Sequence, residues 1–78
     1  MKLQQLRFIC EVAKQDLNLT KAASELYTSQ PGISKQIKAL EEELGVDIFI
    51  RSGKRFVGLT EPGREIIKKS QSALSELN

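Results

Sequence analysis

A mainly α fold carrying one β-hairpin is predicted by three observations. Apolar residues recur every three or four positions through residues 2–15, 19–26 and 30–44, the period of helices with one buried face. Residues 46–59 switch to β-prone types on either side of a polar, glycine-containing turn, the pattern of a hairpin. From Thr60 the helical period returns and holds to the end of the sequence. Together they compose a winged helix-turn-helix with a three-helix core and a β-hairpin wing over 1–59, followed by a long linker helix over 60–78.

The chain has 78 residues, so one small domain is expected, and a domain of this size often gains stability by oligomerising. The net charge is only +2, so a nucleic-acid partner would have to be read from the placement of charge. Three glutamates occupy 41–43, whereas Arg51, Lys54 and Arg55 crowd one turn with no acid between them, which predicts a basic edge. There is no histidine, and the single Cys10 can form neither a disulfide framework nor a metal cluster within one chain. No glycine-rich phosphate loop and no pair of acids stands out, so an enzyme is disfavoured. No stretch is long and apolar enough to span a membrane, and the N-terminus does not read as a signal peptide, so a reducing cytoplasmic setting is expected.

The first helix places Leu3, Leu6, Ile9, Val12 and Ala13 on one stripe, with Phe8 off it as either a partly exposed ring or a contact for another element. Asp16 to Asn18 interrupt it, and either Asn18 or Thr20 caps the next helix. That second helix turns Leu19, Ala22, Ala23 and Leu26 inward, and its two alanines allow another helix to approach closely. Tyr27 and Thr28 connect it to the stretch Thr28-Ser29-Gln30-Pro31-Gly32-Ile33-Ser34-Lys35-Gln36-Ile37-Lys38, which reads as the start of a DNA-recognition helix.

The chemistry of that stretch carries the functional reading. Ser29 is an N-cap, and Pro31 falls in the first turn where a missing N–H costs nothing. Ile33, Ile37, Leu40 and Leu44 form the apolar stripe, which leaves Gln30, Ser34, Lys35 and Lys38 on the polar side. Amides read base edges, hydroxyls and amides hold phosphate, and lysines neutralise it. Gly45 stops the helix, and the glutamates near its end either face solvent or pair with a nearby base such as Arg7.

The hairpin sets Val46, Ile48, Phe49 and Ile50 against Phe56, Val57 and Leu59, with Arg51-Ser52-Gly53-Lys54-Arg55 as its turn. A basic tip beside a recognition helix can reach phosphates or the minor groove. Thr60 caps the last helix and Pro62 sits in its first turn. Gly63, Ile66, Ile67, Ser70, Ala73, Leu74 and Leu77 then form a heptad-like seam. The seam either meets a second copy, which the reading favours, or packs back on its own domain.

Residues now described carry a family resemblance. Ala22-Ala23, Leu26, Ser29-Gln30-Pro31, Ser34, Leu40-Glu41, Leu44-Gly45, Phe49, Arg51, Leu59-Thr60 and Gly63 resemble the N-terminal domain of LysR-type transcriptional regulators over essentially the whole chain. Met1 to Arg7, Leu26 to Gln36, Arg51 to Lys54 and Glu65 to Ile67 are similar to the CysB-like branch, whose members control sulfur assimilation and cysteine synthesis. The resemblance implies a helix-turn-helix motif over 19–38, with DNA contacts at Ser29, Gln30, Pro31, Ser34, Lys35 and Lys38. It implies wing contacts at Arg51, Ser52, Gly53, Lys54 and Arg55. It further implies a homodimer through the linker helix, a tetramer in the full regulator, and a small-molecule inducer bound by a C-terminal domain outside this sequence; no cofactor is expected in this chain. Lys35 stands where many members carry arginine, and Tyr27 where His or Asn is common.

The expected function is sequence-specific double-stranded DNA binding by a dimeric regulator. A winged-helix protein-interaction module that binds no DNA is the competing expectation. The basic wing beside a donor-rich helix separates the two.

Overall fold

The structure, a computed structural model, describes residues 1–76, so Leu77 of the seam lies outside the described residues. Its elements are α1 (Leu3–Lys14), α2 (Leu19–Glu25), α3 (Gln30–Leu44), the strands β1 (Phe49–Ser52) and β2 (Arg55–Leu59), and α4 (Glu61–Glu76). The core gathers Ile9 and Val12 from α1, Ala22 and Ala23 from α2, Ile33, Ile37 and Leu40 from α3, and Ile67 from α4. Ile48, Phe49 and Phe56 close it from the hairpin side.

Helix α1 packs against α2, α3 and α4, and this corrects its expected stripe. Neighbours on several sides demand a wide, rotated buried arc. Phe8 is therefore buried at 6% exposure, while Leu3 is 46% exposed. Gln5 is also buried; it accepts from the Lys2 N–H (2.9 Å) and its amide donates to Gln36 Oε1 (3.4 Å), so it stitches the start of α1 to α3.

Both turns of the helical core end a helix in the same way. The Leu17 N–H donates to the Val12 carbonyl (2.9 Å) and the Asp16 N–H to that of Ala13 (3.2 Å). After α2, Thr28 donates to Ala23 (3.0 Å) and Tyr27 to Ser24 (3.3 Å). These are Schellman closures, which place one residue in the left-handed region, usually glycine. Here Asp16 (φ 55°) and Tyr27 (φ 54°) hold those positions, and Leu17 (φ 67°) is left-handed as well. The chain thus accepts local strain to turn sharply twice. Asn18 is the cap of α2, accepting from the Lys21 N–H at 3.0 Å, and Thr20 is left free of that duty.

The hairpin is tighter than the sequence implies. Arg51 and Ser52 belong to β1 and Arg55 to β2, so the expected five-residue turn shrinks to Gly53-Lys54, with Gly53 at φ 64°. Val46 and Ile48 precede the strand. Pairing runs Phe49 to Leu59 and Ile50 to Gly58, then shifts to Arg51 with Phe56. That bulge aims Phe49 and Phe56 inward together, where their rings stack at 4.6 Å.

Of the two alternatives open for the glutamates, Glu41 takes the paired one, with Arg51 and not Arg7 as the base. It is buried at 5% exposure, and one oxygen accepts from the Ile48 N–H (2.7 Å) and the Phe49 N–H (3.2 Å). Its other oxygen accepts from the Arg51 guanidinium at 2.7 Å. Glu43 pairs with the N-terminal amine, whereas Glu42 is exposed.

Helix α4 begins at a Thr60 cap, whose hydroxyl accepts from the Gly63 N–H at 2.9 Å. Gly63, Ile67 and Ser70 are then buried against the chain's own domain, which corrects their expected availability for a second copy. A Cβ on Gly63 would lie 2.1 Å from the Ile48 carbonyl oxygen, so only glycine lets α4 approach the hairpin root this closely. Ile66 and Leu74 are half-buried and Ala73 is exposed, and these retain some free surface.

Burial alone would push the Glu41 carboxyl up, but the Arg51 guanidinium and the two backbone N–H donors outweigh it and hold the pKa below the ordinary 4.5. A carboxylate with a depressed folded pKa contributes stability above its unfolded pKa and loses it as pH falls through the folded value. Glu41→Gln should therefore cost about 2–3 kcal/mol near neutrality, short of the full loss for a buried pair because Arg51 is partly exposed. The gap from wild type should narrow below about pH 4.5. Urea melts at several pH values measure this; a gap independent of pH would refute the ionic role of Glu41.

Candidate nucleic-acid interface

The site begins with the way α3 is started. Ser29 has an extended backbone, and its Oγ accepts from the Gly32 N–H at 3.1 Å. A Cβ on Gly32 would sit 3.0 Å from Thr28 Oγ1 and 3.1 Å from Ser29 Oγ, so the glycine leaves room for both hydroxyls at the helix mouth. Pro31 takes the second helical position, where its ring needs no partner. With Ile33 and Ile37 fully buried, helical geometry turns Lys35 and Lys38 outward, whereas Gln30, on the side of the buried stripe, is exposed because it opens the helix. Ser34 and Thr28 are half-buried beside them.

The hairpin brings its tip to the same end of α3. Gln30, Pro31 and Ser34 line one open concavity of about 450 Å³ together with Arg51, Gly53 and Lys54, and Leu19 and Phe56 form its floor. A neighbouring hollow of about 310 Å³ is lined by Asn18, Thr20, Gln30, Lys54 and Arg55, among others. Residues of the α3 mouth and of the hairpin tip, 17 to 24 positions apart in sequence, thus share one surface. Ser52 is exposed at the end of β1, beside that turn. Lys35 and Lys38 do not line either concavity; they lie further along the outer face of α3, and Lys38 borders a separate hollow with Glu42 and Arg51.

Arg51 has a more constrained place than a solvated wing residue. Its guanidinium donates to Glu41 and lies over the Phe56 ring, 4.8 Å from the centroid. The side chain still keeps 32% of its surface exposed. A guanidinium has five N–H donors, so one bond to Glu41 leaves others for an anion. Lys54 and Arg55 carry no ion pair among the described residues.

Two features were not legible from spacing. Thr20, in the first turn of α2, accepts a hydrogen bond from the Gln30 carboxamide. Glu41 holds the root of the wing from the far end of α3. Each joins residues ten or fewer apart through a turn, where no periodic pattern exists to mark the pairing. Away from this surface, Cys10 sits half-buried at the junction of α1 and α4, and burial and then the neighbouring Glu11 raise its thiol pKa, as befits a packing residue. No group of side chains able to hold a metal occurs among the described residues, and no helix among them is long and apolar enough to cross a membrane.

Comparison with known proteins adds independent findings. The family described as bacterial regulatory helix-turn-helix protein, lysR family, matches residues 3–64. The HTH-type transcriptional regulator SsuR of Burkholderia cenocepacia is 65% identical over 66 residues, covering 85% of this chain and 21% of the relative. The HTH-type transcriptional regulator CysB of the same organism is 56% identical over 77 residues, covering 99% of this chain and 25% of the relative. The chain therefore spans about a quarter or less of the length of these relatives. The crystal structure of a CbnR_DBD–DNA complex superimposes with a TM-score of 0.88 at 34% identity, over 99% of this chain and 86% of that one.

Proposed function

Because the chain belongs to the lysR family of bacterial regulatory helix-turn-helix proteins, and to its CysB-like branch, we propose that it binds double-stranded DNA sequence-specifically through the surface shared by α3 and the hairpin tip. The observation that carries this reading is the convergence of Gln30, Pro31 and Ser34 with Gly53 and Lys54 on one concave face. The start of α3 enters a major groove, where Gln30 reads a base edge and Ser34 and Lys35 contact base or backbone. Thr28 and Ser29 at the helix mouth, Lys38 further along it, and Arg51, Ser52, Gly53, Lys54 and Arg55 on the wing hold phosphates. The regulated genes are those of sulfur assimilation and cysteine synthesis, a reading that rests on the likeness to the CysB-like branch, and the protein acts in the cytoplasm.

The same reading includes a homodimer. Two recognition helices reach successive major grooves only when held about 34 Å apart. Helix α4, about 24 Å long at the standard rise, is the element suited to act as a strut between two copies. With Gly63, Ile67 and Ser70 turned to their own domain, Ile66, Ala73 and Leu74 are left for the partner. The full regulator is a tetramer whose remaining domain binds a small-molecule inducer.

Binding is tested with duplexes that the chain itself selects from a randomised double-stranded pool. Gln30→Ala should relax preference at one base pair by roughly 1–3 kcal/mol. Lys54→Ala should weaken binding to every duplex and lower the salt slope by about one ion. Retention on DNA that does not depend on salt, or no selection at all, would favour the protein-interaction module instead. For the dimer, sedimentation of the wild-type chain should show a two-copy species that Ala73→Asp with Leu74→Asp converts to folded monomer. A wild type that stays monomeric at high micromolar concentration and still binds two half-sites cooperatively would refute the strut.

A further inference from the structure

We propose that Thr20, which lies outside the recognition helix, positions the Gln30 carboxamide and thereby determines base specificity. The inference rests on the reading of Gln30 as a base-contacting residue, and adds the device that makes its reading selective.

A glutamine at the exposed mouth of a helix has three rotatable bonds and a carboxamide that can present either end. Left free, it would reach an adenine, a guanine or a phosphate, and ordering it on contact would cost side-chain entropy. In this chain the Gln30 Nε2 donates to Thr20 Oγ1, across the junction of α2 and α3. Thr20 can take this role because Asn18, not Thr20, caps α2, so its hydroxyl is free of the backbone. Both residues line the hollow that Lys54 and Arg55 of the wing also border, so the tie sits within the proposed interface.

The donor count then sets the consequence. A primary carboxamide has two N–H donors and one carbonyl acceptor. With the N–H anti to Oε1 engaged by Thr20, the N–H syn to Oε1 remains, and the two form an adjacent donor–acceptor pair. That pair matches the N7 acceptor and N6 donor of adenine in the major groove. It does not match guanine, which offers two acceptors on that edge. A tied Gln30 therefore favours adenine, whereas an untied one can turn its Nε2 toward guanine or phosphate. Thr20 is a positioning residue in this scheme: it acts through Gln30 and need not touch the base.

The test compares Thr20→Val, Thr20→Ser, Gln30→Ala and the Thr20→Val/Gln30→Ala double variant. Each is measured by fluorescence anisotropy on the selected duplex, on its single-base-pair variants and on an unselected duplex. Circular dichroism checks the fold, and Thr20→Ala substitutes for Thr20→Val if the valine perturbs α2. The expected result is that Thr20→Val relaxes preference at the same base pair as Gln30→Ala, by roughly three- to tenfold. Affinity for the unselected duplex should stay unchanged, Thr20→Ser should keep the preference, and Thr20→Val should add nothing in the Gln30→Ala background. Uniform weakening on all duplexes would make Thr20 a backbone contact and overturn the proposal. So would an unchanged preference, or an effect that adds to that of Gln30→Ala. If Gln30→Ala relaxes a base pair and Thr20→Val does not, only the positioning role falls; if Gln30→Ala relaxes none, the reading of Gln30 falls and takes this inference with it.

Discussion

The carboxylate of Glu41 is the interaction on which the geometry of the site depends. It lies in the last turns of α3, yet its partners are the backbone N–H groups of Ile48 and Phe49 and the guanidinium of Arg51. It therefore fixes where the chain leaves the helix, where β1 begins and how the hairpin is angled. Arg51 extends the linkage by lying over Phe56, which stacks on Phe49. Such a cation–π contact contributes about 0.5–1 kcal/mol and such a ring stack about 0.5–1.5 kcal/mol. Neither is large, and the first places the same guanidinium that the buried acid holds. Remove the charge, and the Ile48 and Phe49 N–H groups and the Arg51 guanidinium lose the acceptor that ties the wing root to α3.

A second constraint acts from the opposite side. Gly63 brings α4 into contact with the Ile48 carbonyl, and Thr60 bonds to that same carbonyl through its backbone N–H at 3.0 Å while its hydroxyl donates to the adjacent Asp47 carbonyl. Residue 48 is thus held by α3 through its N–H and by the α4 cap through its carbonyl. The hairpin leaves a clamped root, and its two-residue tip is delivered to one place beside the mouth of α3. Two weak surfaces, a short polar helix face and a small basic turn, become a single interface because neither can move independently.

Much of this was legible in the sequence, and the parts that were not share a physical character. Helix α3, its Ser29 cap, its Gly45 stop and its buried stripe of Ile33, Ile37 and Leu40 follow from local rules of capping and period. The same rules gave the hairpin and the Thr60 start of α4. Local rules could not place Phe8, because its burial depends on how many neighbours α1 has. They could not show that Glu41 turns inward, since a run of three glutamates has the composition of a solvated face and only the returning hairpin supplies the donors. Nor could they divide the α4 seam: Gly63, Ile67 and Ser70 have the spacing of a dimer contact, and the hairpin root at Ile48 together with the α1 surface inside the same chain satisfies that spacing equally well. For the proposed interface, residue types pointed to Gln30, Ser34 and Lys54, while the involvement of Thr20 required the crossing of α2 over the start of α3.

The central claim is that the mouth of α3 and the hairpin tip engage one duplex together. Amide chemical-shift mapping of the ¹⁵N-labelled chain, titrated with the duplex it selects, tests this most directly. The account predicts contiguous perturbation of residues 28–38 and 51–55 in one saturating step, with the exposed outer face of α4 unaffected by DNA beyond any change in dimerisation. Perturbation of α3 without the hairpin tip, or a footprint centred on the junction of α1 and α4, would contradict it.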